Sequence, residues 1–530
     1  MPDLDEPKLK KGLLFWRRPR PVRQPSTHNS QYPSQNRLQR TLRRVWTTNM
    51  TPETPVGEAP GFFKSAATII FSSWLNLLLF CIPVSWALHF VWQKDTTNTQ
   101  DTIIFVFSFL SIIPLAKLLA FATDELSLRV GQTLAGLLNA TLGNAVELIV
   151  SIIALIKCEL QIVQSSLVGS VLSNLLLVLG MCFFAGGMRY SEQGFGISAV
   201  QIQSSLLILS VVAVLLPAAF HFVAGAQIDD SREGPEILSV SHGASIILLV
   251  VYISYLVFQL FSHTQLYDEE HASVNKVKST PYPKKPSKEK MNDLEQGAKN
   301  ATATASALSD VQLTVRSTGT ANGDVKGNAT VGEVIISSTM STEATHVENG
   351  DSGHTEEEKE EPQMSLQSAI IFLIVVTVLV AVTAEFLVSS IDGLTDGGHI
   401  SKEFVGVILL PIVGNAAEHV TAVTVSVRDK LDLSLGVAVG SSIQIALFVI
   451  PFIVTLGWMI GKPLTLLFDP FESIVLFLSV IVVNYTVQDG KSNWLEGAIL
   501  MCLYVILAVV FWYYPGTDVA NNFNLPGCPG

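Results

Sequence analysis

Two short motifs place a carboxylate inside long apolar segments, where an ionisable side chain is costly and usually functional. The first is Gly143-Asn144-Ala145-Val146-Glu147, and the second is Gly414-Asn415-Ala416-Ala417-Glu418. The offset that relates them also relates Gly169-Ser170 to Gly440-Ser441. Chance matches among apolar residues explain shared Leu and Val, but not Gly-Asn-Ala-x-Glu twice. The sequence therefore indicates an internal duplication.

The side chains around both glutamates offer oxygen atoms and no thiols. In a helix, Asn144 shares a face with Glu147, and Asn415 shares a face with Glu418. Other polar residues extend these faces along the same and the following apolar segments: Ser151, Ser170, Ser173, Asn174, Thr421, Ser441 and Gln444. Ca²⁺ takes about 6–8 oxygen ligands in irregular geometry. We therefore expect the two Asn–Glu pairs to bind a transported hard cation such as Ca²⁺, and the other residues to form a supporting polar lining.

The same two carboxylates can exchange protons with the cation. Desolvation favours a protonated carboxyl, whereas a bound cation favours the ionised form. One pair of groups that binds either a divalent cation or protons meets the minimal requirement for antiport. A buried glutamate that only pairs with a neighbouring amide is the structural alternative, and its occurrence at equivalent positions of a duplication argues against it.

Composition places the chain among multi-span membrane proteins. Of its 530 residues, 49% are hydrophobic and 15% are charged, and the net charge is −12. The five cysteines show neither metal-ligand spacing nor a disulfide framework. We predict no cofactor, no nucleic-acid partner and no enzymatic activity, and the lipid bilayer is the expected surroundings.

Eleven apolar stretches are long enough to cross a bilayer. They lie near 65–92, 102–123, 132–156, 162–185, 198–222, 237–262, 366–390, 402–427, 432–459, 465–486 and 494–514. Flanking Lys and Arg residues place the N-terminus and the polar interval between the sixth and seventh stretches in the cytosol. An odd number of spans then places the C-terminus on the opposite side.

This arrangement predicts an all-α polytopic membrane protein with one extra N-terminal helix and two inverted-topology repeats of five helices. Inverted repeats form a substrate site between them near the middle of the bilayer. The predicted divisions are a disordered basic cytosolic tail over 1–63, the extra helix over 64–93, the first repeat over 101–263, a disordered cytosolic linker with an acidic run over 264–364, the second repeat over 365–515 and a short tail over 516–530. By the same symmetry, Glu125 and Glu385 are predicted entrance carboxylates at opposite mouths.

The motifs resemble those of the calcium/proton exchangers, the CAX family of the calcium/cation antiporter superfamily. The resemblance rests on Ala122-Thr-Asp-Glu-Leu126, Gly143 to Ser151 and Gly169-Ser170 in the first half, and on Gly414 to His419 and Gly440 to Gln444 in the second. It implies a vacuolar antiporter with a luminal C-terminus, in which Glu147 and Glu418 bind Ca²⁺ alternately with protons.

The sequence leaves three alternative functions open. A sodium/calcium exchanger or a Mn²⁺/H⁺ antiporter of the same superfamily would share the repeat architecture. A cation channel would usually build a ring of identical residues by oligomerisation, and the oligomeric state is unknown. An intramembrane hydrolase is disfavoured because the sequence lacks Gly-x-Ser-x-Gly and His-Glu-x-x-His.

Overall fold

The structure is a computed structural model that describes residues 60–61, 65, 69, 73–92, 97–130, 132–224, 230–267, 278–282, 362–396, 400–517 and 528. The predicted disordered tail and the acidic run at 356–361 lie outside the described residues, apart from residues 60–61.

Helices dominate the described part of the chain. After a 3₁₀ turn at Trp74–Phe80, the helices are α1 (Cys81–Trp92), α2 (Asn98–Ser127), α3 (Gln132–Leu142), α4 (Ala145–Ile156), α5 (Leu160–Leu172), α6 (Leu179–Gly187), α7 (Ile197–Ala224) and α8 (Asp230–Val257). Those of the second half are α9 (Leu366–Ser389), α10 (Ile391–Thr395), α11 (Lys402–Phe404), α12 (Leu410–Gly414), α13 (Ala416–Val427), α14 (Leu431–Gln444), α15 (Ile450–Ile460), α16 (Pro470–Thr486) and α17 (Trp494–Tyr513).

The helices have the length and composition of membrane spans. Among the described residues, eight helices are long and apolar enough to cross a bilayer, and two bent helix pairs bring the number to ten. Helix α16 is a shorter apolar helix. The predicted fold class is confirmed, whereas the count of eleven crossings stays a prediction. Helix α8 begins at Asp230, several residues before the predicted stretch near 237–262.

Local signals define where several helices begin. The Ser365 hydroxyl accepts a hydrogen bond from Ser368 N–H at the start of α9. Asp469 caps α16, whose first residue is Pro470, and Asn493 forms a capping box with Glu496 at the start of α17. Each cap satisfies backbone N–H groups that the helix itself leaves without partners, which is essential near an apolar surrounding.

The first helices of the two repeats, α2 and α9, pack against each other, and α6 packs against α17. Short π-helical turns interrupt the helices between α5 and α6, at Ser173–Val178, and between α14 and α15, at Ile445–Val449. These turns occupy equivalent positions in the duplication. Such turns occur frequently at functional sites because they redirect side chains within a helix.

A small antiparallel sheet joins the two repeats on one face of the molecule, which we call the sheet face. Its strands are β1 (Tyr190–Gly194), β2 (Thr280–Pro281) and β3 (Lys491–Ser492), in the order β2-β1-β3. Strand β1 lies between helices of the first repeat and β3 between helices of the second. Strand β2 belongs to the predicted linker, and backbone pairing and side-chain hydrogen bonds hold residues 278–282 against β1.

A disulfide on the opposite face corrects the prediction from the cysteines. Cys158, in the turn between α4 and α5, is bonded to Cys528 near the C-terminus, and their Cα atoms are 5.6 Å apart. The two residues are 370 positions apart, so no local spacing could reveal the pair. We call this side of the molecule the tail face.

Candidate cation-binding site

The two glutamate motifs occupy breaks in helices. Helices α3 and α4 meet at 43° around Gly143 and Asn144, and the α11–α12 segment meets α13 at 57° around Asn415. Glu147 and Glu418 lie in the first turns of α4 and α13. A helix N-terminus carries partial positive charge and free N–H groups, so it stabilises an anionic side chain inside an apolar surrounding.

The two breaks face each other across the repeat interface. A Cβ atom added to Gly414 would lie 2.5 Å from Glu147 Oε1, so the carboxyl packs directly on the second break. A Cβ atom added to Gly143 would lie 3.6 Å from Gln444 Oε1. Glu418 is near enough to Glu147 for their charges to interact, and it also interacts with the side chains of Asn174 and Ser441. The fold therefore brings both glutamates into one site.

A chain of polar side chains crosses the interface beside the glutamates. Asn174 Nδ2 donates to Ser441 Oγ at 3.0 Å, and Ser441 Oγ donates to Asn144 Oδ1 at 2.8 Å. Asn144 Nδ2 in turn donates to Gln444 Oε1 at 2.8 Å. Asn415 Nδ2 makes a longer bond, of 3.4 Å, to the backbone carbonyl of Ser170. Three of the predicted lining residues, Asn174, Ser441 and Gln444, are thus part of one connected network with Asn144.

Several buried oxygen atoms of this site receive no hydrogen bond from the described residues. They are Asn174 Oδ1, Asn415 Oδ1 and Glu418 Oε2. Buried polar atoms are almost always satisfied, so each exception requires an explanation. These three buried oxygens come from both repeats and are of the type that a hard cation binds, since it accepts carboxylate and amide oxygens alike.

A small cavity adjoins Glu147. Its volume is about 20 Å³, and its polar lining consists of Glu147, Ser151, Ser166 and Ser170. That volume accommodates about one water-sized particle. The rest of its lining is apolar and includes Leu387 and Leu410.

A much larger cavity opens toward the sheet face, and we call it the vestibule. Its volume is about 540 Å³, and its lining includes Asn139, Thr421, Gly440 and Gln444. Because Gln444 is bonded to Asn144, the inner end of the vestibule reaches the polar network. Thr421 is an exposed residue of the vestibule wall and donates to the Ala417 carbonyl, and it does not belong to the lining of the small cavity beside Glu147.

Equivalent positions of the two repeats differ in packing, which defines the conformation. A Cβ atom at Gly169 would overlap backbone atoms of Val407 and lie 2.6 Å from Pro411 Cγ, whereas one at Gly440 would meet nothing within 4 Å. Ser173 is completely buried, while its counterpart Gln444 lines the vestibule. The polar network is therefore reached from the sheet face through the vestibule, whereas the equivalent surfaces around Gly169 are packed together.

Glu125 and Glu385 have very different surroundings. Glu125 is only 3% exposed, and its carboxylate accepts hydrogen bonds from the backbone N–H groups of Gln363 and Met364 at 3.1–3.2 Å. The Glu385 side chain is 57% exposed on the tail face, and it lies 3.7 Å from Lys157 Nζ. Among the described residues, the linings of the vestibule and of the small cavity include neither of these glutamates.

Among the described residues, the vestibule lining contains one acidic residue, Asp432. The sequence motifs did not single it out. Its Oδ1 accepts a hydrogen bond from Gly196 N–H at 2.7 Å. Tyr267 lines the same cavity, and burial raises the pKa of its hydroxyl, so this group stays neutral. Asp432 lies two residues after Lys430, in the first turn of α14, so in the sequence it resembles an ordinary acidic residue at a helix start.

A second acidic group near the tail face was also missed. Glu403 and Glu472, each 1% exposed, lie against each other, and Gln161 Nε2 donates to Glu403 Oε1 at 2.6 Å. Asp469 nearby accepts hydrogen bonds from Tyr514 and Thr517 of the C-terminal tail. Since Glu403 and Glu472 occupy helix starts far apart in sequence, only the tertiary fold brings them together.

Comparisons with known proteins agree with this architecture. The family model described as "Sodium/calcium exchanger protein" matches residues 100–261 and 368–513. The vacuolar calcium ion transporter of Cryptococcus neoformans var. grubii is 50% identical over 506 residues, which cover 92% of this chain and 81% of that protein. The Ca²⁺/H⁺ antiporter of Synechocystis sp. is 36% identical over 441 residues, which cover 83% of this chain and 97% of that protein.

Solved structures show the same fold. The structure of the Ca²⁺/H⁺ antiporter YfkE is similar, with a TM-score of 0.56 and 27% sequence identity, covering 83% of this chain and 98% of that chain. The matched family segments leave out the region between residues 261 and 368.

Proposed function

Because the chain belongs to the sodium/calcium exchanger protein family, we propose that it is a secondary transporter exchanging cytosolic Ca²⁺ for luminal H⁺ across the vacuolar membrane. One observation carries the proposal: two glutamates from the two repeats share one site with buried amide oxygens that have no hydrogen-bond partner among the described residues. The relatives described as vacuolar calcium transporters and Ca²⁺/H⁺ antiporters support the identity of both ions.

In the proposed cycle, Ca²⁺ reaches the site through the vestibule and takes oxygens of Glu147, Glu418, Asn174 and Asn415. Two carboxylates neutralise one divalent cation, and the remaining ligands lower its cost of desolvation. After the molecule opens toward the tail face, protons replace Ca²⁺ on the carboxylates. The exchange is obligatory if two empty, ionised carboxylates in an apolar site are too unfavourable for the return step.

The proposed orientation places the sheet face in the cytosol and the tail face in the lumen. Arg129, Arg189 and Arg428 flank helices at the sheet face, as the positive-inside rule requires. The disulfide on the tail face fits a compartment outside the reducing cytosol. The N-terminus and the linker are accordingly cytosolic, and the C-terminus is luminal.

A sodium/calcium exchanger is the rival function, because the family description includes that activity. Uptake of ⁴⁵Ca²⁺ into reconstituted vesicles with an acidic interior distinguishes the two. We expect uptake in sodium-free medium that collapses when a protonophore removes the pH gradient. Uptake that requires internal Na⁺ and ignores the pH gradient would contradict Ca²⁺/H⁺ exchange. Adding Mn²⁺ as a competitor in the same assay tests whether it is a second substrate.

We predict that Asp432→Asn weakens Ca²⁺ capture from the sheet face without stopping transport. Asparagine keeps an oxygen acceptor for Gly196 N–H and removes only the charge. A single charge at the mouth of a cavity raises the local cation concentration, and salt screens this effect. The half-saturating external Ca²⁺ concentration should rise severalfold at low ionic strength, and the difference from wild type should shrink at high salt.

Asp489→Asn is the matched control, because Asp489 is an exposed aspartate in the turn before β3. It should leave the half-saturating concentration unchanged. Equal behaviour of both variants at every salt concentration would remove Asp432 from the access route.

For Glu125 we expect a structural effect. The carboxylate joins the end of α2 to the backbone just before α9, and the Arg129 guanidinium donates to the Met364 carbonyl beside it. A hydrogen bond to a charged group contributes about 1.5–3 kcal/mol. Glu125→Gln should therefore lower the thermal unfolding temperature by several degrees in detergent while the half-saturating Ca²⁺ concentration stays close to wild type. Unchanged stability with a raised half-saturating concentration would instead support the entrance role.

A further inference from the structure

A short segment of the linker is docked on the sheet face. Residues 278–282 run antiparallel to β1, and Thr280 and Pro281 pair with Glu192 and Tyr190. On its other side, β1 pairs with β3 of the second repeat. Addition of an extended segment to the edge of a sheet is a common mode of peptide recognition, in which backbone bonds supply affinity and side chains supply specificity.

Side chains fix the register of the docked segment. The Ser279 hydroxyl donates to Asp429 Oδ1 at 2.7 Å and accepts from Gly194 N–H at 3.2 Å. Ser191 Oγ donates to the Thr280 carbonyl at 2.7 Å, and the Tyr282 hydroxyl donates to the Gly187 carbonyl at 2.8 Å. A linker that served only to connect α8 to α9 would not require these hydrogen bonds.

Asp429 links the docked segment to the site. It lies in the turn between α13, which carries Glu418, and α14, which forms a wall of the vestibule. Its φ is +65°, a left-handed conformation that aspartate adopts only at a local cost. Gln193 Nε2 also donates to Asp429 Oδ1, at 3.2 Å. The bonds from Gln193 and Ser279 therefore hold this turn in place.

The end of β1 and the loop that follows it connect the docked segment to the vestibule. Gly194 N–H donates to Ser279, and Gly196 N–H donates to Asp432 at the vestibule wall. The loop after β1 thus contacts the linker and the vestibule mouth within three residues. A displacement of the docked segment would be transmitted to the mouth through this loop and through the Asp429 turn.

We propose that Lys278–Tyr282 is an intramolecular clasp whose docking on β1 and Asp429 holds the vestibule mouth in its Ca²⁺-accepting form. The inference rests on the proposed function only for the identity of the transported ion. When the clasp is displaced, the turn before α14 loosens and capture of Ca²⁺ from the sheet face weakens. Ser279 is the sensitive position, because a negative charge there would face the Asp429 carboxylate directly.

The test uses Ser279→Asp in the full-length chain. Like charges in contact oppose docking, so trypsin should cut the linker after Lys278 faster than in wild type. In reconstituted vesicles, the half-saturating external Ca²⁺ concentration should rise severalfold, with the maximal rate near wild type. Ser287→Asp is the matched control: it adds the same charge to the linker outside the docked segment and should change neither measurement.

A second substitution and a pair of deletions complete the test. Asp429→Asn in the Ser279→Asp background removes the repulsion and should restore slow cleavage and normal Ca²⁺ capture. Deletion of residues 284–350 keeps the clasp and should preserve Ca²⁺ capture, whereas deletion of residues 275–350 removes it and should raise the half-saturating concentration.

The proteolysis arm does not depend on transport, so it tests docking even if the ions are not Ca²⁺ and H⁺. Unchanged cleavage of Ser279→Asp would show that the segment is not held by Ser279 and Asp429. Faster cleavage with an unchanged half-saturating concentration, or equal behaviour of the two deletions, would overturn the link between the clasp and the vestibule.

Discussion

Replacing either central glutamate by glutamine is expected to reduce pH-driven Ca²⁺ uptake to the level of protein-free vesicles. Glutamine keeps the shape and one oxygen ligand of Glu147 or Glu418 but removes the charge and the ability to release a proton. The site would then hold one carboxylate against a divalent cation, and the remaining net charge in an apolar surrounding is strongly unfavourable. Proton exchange at that position would also be lost.

The measurement is ⁴⁵Ca²⁺ uptake by purified Glu147→Gln and Glu418→Gln in vesicles with an acidic interior, together with thermal unfolding in detergent. Glu236→Gln is the matched control, because the Glu236 side chain is 40% exposed and its ion pair with Arg232 contributes little. It should transport at nearly the wild-type rate. Wild-type uptake by either central variant would refute the paired-glutamate site, provided that both proteins unfold at the wild-type temperature.

Much of this site is visible in the sequence because membrane insertion makes a buried carboxylate conspicuous. The repeat of Gly-Asn-Ala-x-Glu indicated a duplication that contains Glu147 and Glu418, and each glutamate lies in the first turn of the helix that follows a break. The fold class followed from the apolar stretches and the inverted repeat, since backbone satisfaction in lipid leaves few alternatives to helices.

The sequence does not reveal which side of the molecule is open. Gly169 and Gly440 are identical residues in matching motifs, and only the packing around them distinguishes their surroundings. A duplicated sequence encodes both conformations of an alternating transporter, so symmetry arguments predict the positions of residues but not their exposure in one state. The symmetry that relates Glu125 to Glu385 therefore does not predict how buried either carboxylate is.

Long-range contacts are the other features that sequence patterns could not supply. The Cys158–Cys528 bond joins residues separated by most of the chain. Strand β2 is short, polar and contains Pro281, so it resembles a linker until its partner β1 is known. In both cases the contacts that order the segment come from residues far away in sequence, so local propensity does not predict them.

Gly440 is expected to affect the rate of the conformational change and not the stability of the open form. Its counterpart Gly169 packs so closely on Val407 and Pro411 that a Cβ atom would overlap them. The offset of the duplication equates Val407 and Pro411 with Gly136 and Ala140, and these two residues line the vestibule together with Gly440. By the inverted symmetry, closing the vestibule should bring Gly440 against Gly136 and Ala140.

Gly440→Ala should therefore fold normally and transport slowly. The added methyl group meets nothing within 4 Å in the open form, so the thermal unfolding temperature in detergent should stay within a few degrees of wild type. In the closed form the same methyl group is an overpacked contact, which costs about 1–3 kcal/mol. Since 1.36 kcal/mol corresponds to about tenfold in an equilibrium constant or a rate, the maximal rate of Ca²⁺ uptake should fall about tenfold.

Gly243→Ala is the matched control for this change. Gly243 lies in α8, outside the vestibule lining, and a Cβ atom there would also meet nothing within 4 Å. Alanine at position 243 adds the same methyl group away from the surfaces expected to close on Gly440, so it should support nearly wild-type uptake. Equal rates for the two alanine variants would show that the vestibule does not close by packing Gly440 as Gly169 is packed, and the symmetry would then extend to the ion site but not to the closing surfaces.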